Sequence, residues 1–199
     1  EEKEIPEQLM HDTIRKATMS LELVPVMMGS AYKNKGVQLL LDAVCTYLPS
    51  PDTREKPVGI NVKLAREKGE EEARTVIEAD PAKPLVSLAF KLTEEQFGQL
   101  TYIRVYQGTL RKGSFIYNAK DGKKIRVGRL VRMHANARTD EEKAEAGDIV
   151  AMVGVECASG DTFCDEGHLV SMESMYIPDS VVDMSIVAKK NEDADKLSK

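Results

Sequence analysis

Two stretches of this 199-residue chain carry residue types from which chemistry can be built. The first is Gly29-Ser30-Ala31, which follows an apolar run and precedes the polar YKNKG. As plain structure, small residues let a strand turn tightly into a helix. As chemistry, they let backbone amides approach a planar base and donate to its carbonyl oxygen. The tripeptide alone leaves both readings open. The second stretch, Arg104 to Arg138, holds ten Lys or Arg against one acid, Asp121. One reading is a solvated strand face whose lysines guard an edge against aggregation. The other is a phosphate-facing surface, because cations on a rigid scaffold neutralise a nucleic-acid backbone. Asp140, Glu141, Glu142 and Glu145 follow at once, so the basicity is local. His134 has no carboxylate partner at meaningful spacing and reads as structural or RNA-facing. The doublet Asp165-Glu166 before Gly167 reads as a polar loop, and no metal site is predicted.

The elements that must position these residues follow from periodicity. Pro6 and Glu7 suit the first turn of a helix, and Met10, Ile14, Ala17 and Leu21 make its apolar face. Leu23–Met28 reads as a buried strand beginning just after a kink at Pro25. Val37, Leu40, Leu41, Val44 and Leu48 form the stripe of a second helix that Pro49 and Pro51 end, with Asn34 as a candidate cap. Helix, strand, loop, helix is the tail of an α/β sheet domain, and ligands bind at the carboxyl ends of such strands. From Leu100 the period changes to two. Leu100, Tyr102 and the aromatics beyond predict a strand with one buried face, ended by Gly108. Lys112-Gly113 turns into a strand over Ser114–Asn118, and Asp121-Gly122 favours a type I′ hairpin. Lys124–Met133 follows, then an acidic loop, then the apolar run Ile149–Val155. Short strands punctuated by glycine predict a small antiparallel barrel or sandwich.

The totals are those of a globular protein, 42% apolar and 31% charged. A net charge of −5 argues against a free-standing nucleic-acid binder, so RNA contact must come from a patch. No apolar run is long enough to span a membrane. Cys45, Cys157 and Cys164 are odd in number and lack metal-type spacing, which predicts free thiols in a reducing compartment. With no starting Met and a last stretch, DADKLSK, that opens a helix, the chain is expected to be a piece of something longer.

Read together, VPVMMGSAYKNKGVQLLLDAVCTYLPSP resembles the closing segment of the GTP-binding domain of elongation factor G, a translational GTPase family. GQLTYIRVYQGTLRKG, RLVRMHANAR, AGDIVAMVG and CASGDTFCDEG resemble its second domain, and SMESMYIPDSVVDMSIVAKK the start of its third. The resemblance implies a mainly β fold: an antiparallel β-barrel of the translation-factor domain II type, preceded by a C-terminal α/β fragment of a P-loop GTPase domain. The implied division is 1–52 for the GTP-binding remnant, 53–83 for a linker with a variable acidic loop, 84–172 for the barrel and 173–199 for the start of a ferredoxin-like domain.

The same resemblance implies a GTPase that moves tRNA and mRNA through the ribosome, using GTP and Mg²⁺ in the full-length parent. Gly29, Ser30 and Ala31 match its last guanine-contact motif, with the Ala31 amide facing the base oxygen. Arg129 and Arg132 are the candidates for rRNA or interdomain contact. Implied partners are the ribosome, through small-subunit rRNA and ribosomal proteins, and the tRNA–mRNA complex; no membrane is implied, and the protein is expected as a monomer. A ribosome-recycling or ribosomal-protection paralogue and a non-enzymatic rRNA-docking barrel are the alternatives. CASGDTF and QLTYIRVYQG resemble the mitochondrial form, which implies the mitochondrial matrix, with the bacterial cytoplasm as the alternative. These residues contain no GxxxxGK[ST] phosphate loop and no NKxD-type motif. The chain alone is therefore expected to have no catalytic residue, to bind no cofactor and to be inactive.

Overall fold

A computed structural model describes residues 4–95 and 98–172, together with Ser185 and Val187. The expected start of a third domain, 173–199, lies outside the described residues apart from those two.

Helix α1 (Glu7–Met19) begins after Pro6, whose fixed φ and missing N–H suit that position. It ends where Leu21 takes a φ of 62° and the amides of Glu22 and Leu23 return to the Ala17 carbonyl. Helix α2 (Val37–Tyr47) starts from Gly36 at φ 76°. The two helices meet where His11 Nδ1 lies 2.7 Å from Tyr47 Oη and where Arg15 donates to the carbonyls of Thr46 and Leu48. Neither helix contains a buried residue.

Leu23–Met28, expected as a buried strand, joins no ladder, and Val24 and Met28 are 79% and 95% exposed. A strand is buried by neighbours on its edges and faces, and no described strand pairs with this run. Asn34 does not cap α2 either. It takes a left-handed conformation, φ 53°, and Gly36 stands at the N-cap.

The remaining residues form a curled antiparallel β half-barrel. Strand β1 (Val58–Asn61) leads into α3 (Val62–Lys68), where Asn61 Oδ1 accepts from the Leu64 amide at 3.1 Å, the usual N-cap bond. The acidic EKGEEEAR ends α3 and turns back into β2 (Arg74–Val76), which pairs with β1. Then come β3 (Val86–Glu95), β4 (Gly98–Gln107), β5 (Thr109–Arg111), β6 (Phe115–Asn118), β7 (Lys124–Arg126), β8 (Arg129–His134), β9 (Ala137–Glu141), β10 (Lys143–Glu145), β11 (Ile149–Val153), β12 (Thr162–Cys164) and β13 (Val170–Met172). The largest sheet runs β7-β6-β12-β3-β4-β11-β8-β9; β5 pairs with β10, and β13-β1-β2 form a third sheet.

Residues 53–83 are built into this body. Ile77 packs with Val86, Cys164, Val170 and Met172. Gln107 bridges the junction, accepting from the Glu78 amide and donating to the Pro84 carbonyl, both at 3.0 Å. Lys56 and Lys83 hydrogen-bond Glu78 and hold its carboxyl down at about 2.

The core departs from the alternation expected of β4. Ile103 and Val105, not Leu100 and Tyr102, point into the main cluster with Leu85, Leu110, Ile116, Leu130, Met152 and Phe163. Leu100 and Tyr102 serve a smaller cluster with Val131 and Ala151 on the opposite face. The β6–β7 hairpin forms, but not through a type I′ turn. In the Ala119–Lys123 connection Gly122 has a positive φ (72°) and Asp121 does not. The side chains of Asn118 and Asp121 instead accept from the amides of Lys120 and Lys123, at 2.9 and 2.8 Å, which closes a wider loop. The expected acidic loop after Arg138 is strand: Asp140 and Glu141 lie in β9, opposite Val131 and Leu130 of β8.

Candidate nucleobase loop and nucleic-acid interface

The segment from Gly29 to Gly36 is a closed loop. Ser30 and Lys35 exchange both backbone bonds, each at 3.0 Å, and one 3₁₀ turn over Ala31–Lys33 lies between them. The closure needs glycine at its base. A Cβ on Gly29 would stand 2.8 Å from the Lys35 carbonyl oxygen, and one on Gly36 would stand 3.2 Å from that of Met28. The backbone bonds that close the loop use the amides of Ser30, Lys33, Asn34 and Lys35. The Ala31 amide takes part in none of them, and Ala31 is exposed. The loop thus keeps Gly29, Ser30 and Ala31 together and leaves a backbone donor at its outer turn, which is what contact with a flat acceptor edge requires.

The basic stretch divides sharply once its partners are seen. Arg129 makes a two-pronged pair with Asp140, Nε to Oδ1 at 2.6 Å and Nη2 to Oδ2 at 3.2 Å. That hydrogen bonding holds Asp140 below the ordinary carboxylate value and Arg129 above the ordinary guanidinium value. Arg132 reaches Glu141 at 2.8 Å and Asp148 at 3.4 Å. Lys112 pairs with Glu142 at 2.7 Å. The acids that come after the basic run in sequence therefore fold back beside it, and Arg129 and Arg132 are already engaged. Lys120, Lys123, Lys124 and Arg126, on and around the β6–β7 hairpin, have no carboxylate within ion-pair distance among the described residues. A count along the sequence does not separate these cations, because pairing across β8 and β9 depends on register.

His134 ends β8, exposed, opposite Ala137. Asp165 Oδ2 accepts from the Leu85 amide at 2.7 Å, and Asp161 Oδ2 accepts from Asn118 and from the Ala158 amide, both at 3.0 Å. All three cysteines are free: Cys45 is exposed, while burial raises the Cys157 thiol and pushes the Cys164 thiol up to about 11.

Residues 98–164 match the family model described as elongation factor Tu domain 2. Along its whole length the chain is 50% identical to elongation factor G 1 of Borreliella afzelii and 52% identical to elongation factor G 1 of Borrelia garinii subsp. bavariensis, covering 28% of each. It is 50% identical to elongation factor G 2 of Bdellovibrio bacteriovorus, covering 27% of that protein. The chain thus spans little more than a quarter of the length of these curated relatives. A crystal structure of a Thermus thermophilus protein superposes on 98% of this chain and 26% of its own, with a TM-score of 0.64 and 21% identity, which shows a shared fold. These curated relatives are bacterial, and nothing among them favours the mitochondrial form.

Proposed function

We propose that this chain, half identical along its whole length to elongation factors G, is part of such a factor and serves in a GTPase that drives movement of tRNA and mRNA through the ribosome. The observation that carries this reading is the half identity to named elongation factors G, sustained from end to end. In this reading 1–52 closes the GTP-binding domain, 53–83 leads into the barrel, 84–172 is the barrel and 173–199 opens a third domain. Gly29, Ser30 and Ala31 form the rim of the guanine pocket, and the exposed Ala31 amide donates to the base oxygen. The barrel docks on small-subunit rRNA. The parent works as a monomer with GTP and Mg²⁺, and the bacterial relatives favour the bacterial cytoplasm over the mitochondrial matrix.

Assayed as the complete protein on ribosomes carrying tRNA in the pre-translocation state, it is expected to advance tRNA and mRNA in a GTP-dependent manner. Splitting of subunits without that movement would overturn the translocase reading in favour of a recycling factor. The 199-residue chain alone is expected to give a flat titration with a fluorescent GTP analogue. The amides that cradle the β- and γ-phosphates and the ligands of Mg²⁺ supply most of a P-loop enzyme's hold on nucleotide, and the residues for them are not in this sequence. Saturable binding, or turnover lost on substitution of Ala31, would overturn that expectation.

A further inference from the structure

We propose that the outward face of the β6–β7 hairpin binds unpaired RNA, with Phe115 stacking on a base while Lys124 and Arg126 meet the adjoining phosphates. The inference rests on the rRNA-docking reading and moves its contact surface away from Arg129 and Arg132.

The argument begins with alternation. In β6, Ile116 and Asn118 point inward and are buried, so Phe115 and Tyr117 face out; in β7, Lys124 and Arg126 face out on the same side. The register sets Phe115 against Arg126 and Tyr117 against Lys124. The Lys124 ammonium lies 4.4 Å from the centre of the Phe115 ring and 5.7 Å from that of Tyr117. Because β7 is an edge strand, the lysines alone would be explained as guards against edge pairing. Phe115 does not fit that explanation. Phe115 is 50% exposed, whereas Phe163 of the same half-barrel is wholly buried. A half-exposed ring on β6, the strand next to that edge, adds apolar surface that guarding the edge does not call for, and a ligand with both charge and a flat apolar surface accounts for the two together.

Unpaired RNA has that combination: a base stacks on an aromatic ring, and its phosphates take the cations. A cation held over an exposed ring is only weakly attached, so a base can replace it as the ammonium turns to phosphate. The carboxylate in the loop, Asp121, accepts from the Lys123 amide and does not pair with the lysines. In contrast, a phosphate approaching Arg129 must displace a two-pronged carboxylate.

The test is fluorescence anisotropy of the whole chain with a labelled unpaired oligoadenylate of about twelve nucleotides, long enough for the site sizes usual in single-strand binding, repeated with a blunt RNA duplex and with poly-glutamate as competitor. Phe115→Leu keeps an apolar side chain and removes the ring. It is expected to weaken binding of the unpaired strand by about 5- to 100-fold with little change for the duplex. Lys124→Gln with Arg126→Gln is expected to lower the steepness of log affinity against log salt by about 1.4, the share of two phosphates on a single strand. Arg129→Gln with Arg132→Gln is expected to change neither by more than about twofold, circular dichroism confirming that every variant is folded. If Phe115→Leu binds as the parent does while the Arg129 and Arg132 variants lose binding, the hairpin proposal falls and the docking reading stands. Equal competition by poly-glutamate, indifferent to Phe115, would mark an acidic-protein surface and overturn the proposal. If the unaltered chain binds neither RNA even at low salt, the docking reading itself fails.

Discussion

Phe163→Ala is expected to lower the urea midpoint of the half-barrel further than any other single side-chain truncation proposed for this chain. Phe163 is 0% exposed and lies at the centre of β12, opposite Ser87 of β3 and Asn118 of β6. Its ring fills the main cluster among Leu85, Ile103, Val105, Ile116 and Leu130. These contacts come from β4, β6, β8 and the approach to β3, all held by backbone ladders, so they cannot collapse into the space vacated. Removal of a buried phenyl ring then carries both the lost transfer energy and a cavity, about 3–5 kcal/mol. That is a large share of the roughly 5–15 kcal/mol that keeps an ordinary domain folded. Phe115→Ala is the internal control, since the same chemistry removed from a half-exposed ring leaves no comparable cavity. Equal midpoints for the two variants would show that the cluster around Phe163 is not the core.

The second large effect is expected at Gly108, where Gly108→Ala should destabilise by about 2–5 kcal/mol, again read by urea denaturation. Two costs combine. The residue has a φ of 77°, which carries a penalty of about 1–2 kcal/mol for any side chain. A Cβ built there would also lie 2.7 Å from the Leu85 Cα, the Leu85 nitrogen and the Lys83 carbonyl oxygen. All three are backbone atoms in the approach to β3, so the crowding adds about 1–3 kcal/mol. Gly108 also donates to Asp80 and accepts from Ala146, at 2.9 and 3.1 Å, which leaves it no room to withdraw. Gly122 separates the two costs. Its φ is 72° but nothing stands within 4 Å of a Cβ, so Gly122→Ala should show only the first. If Gly108→Ala and Gly122→Ala cost the same, close approach to Leu85 is not what requires glycine at 108.

How far these features were legible in the sequence depends on whether the cause was local. The C-terminal end of β4 and the turn at Lys112-Gly113 were legible because Gly108 and Gly113 mark them with positive φ, a property of single residues. The apolar run of β11 was legible because no polar residue interrupts it. The face of β4 that looks into the main core was not, since Leu100 and Tyr102 are as apolar as Ile103 and Val105. Only the neighbours across the sheet decide between the two faces. Strand β9 was hidden for a related reason. The acids Asp140 and Glu141 read as loop until Arg129 and Arg132 of β8 are seen beside them. Leu23–Met28 shows the reverse case, where an apolar run predicts a strand and no described strand pairs with it.

At the candidate site the tripeptide Gly29-Ser30-Ala31 could be picked out, but not why it is glycine that comes first. The need appears only when the Lys35 carbonyl is found 2.8 Å from where a Cβ would be. The hairpin cations were all in the count, yet a count cannot tell Lys124, lying over a ring, from Arg129, tied to a carboxylate. Phe115 gave no signal of its own, because an aromatic at the start of a short strand is ordinarily taken for core.

The pairing of β1 with β13 has a mechanical consequence. Gly59 lies opposite Met172 and Asn61 opposite Val170 in an antiparallel ladder. The polypeptide therefore approaches and departs from the same end of that ladder. Tension applied between the segment before Val58 and the segment after Met172 falls first on the Gly59–Met172 rung and opens the sheet one rung at a time, as a zipper parts. In that loading geometry the rungs between β1 and β13 part in turn, while the β1–β2 ladder and the bond from the Ile77 amide to the Pro57 carbonyl still tie β1 to the half-barrel.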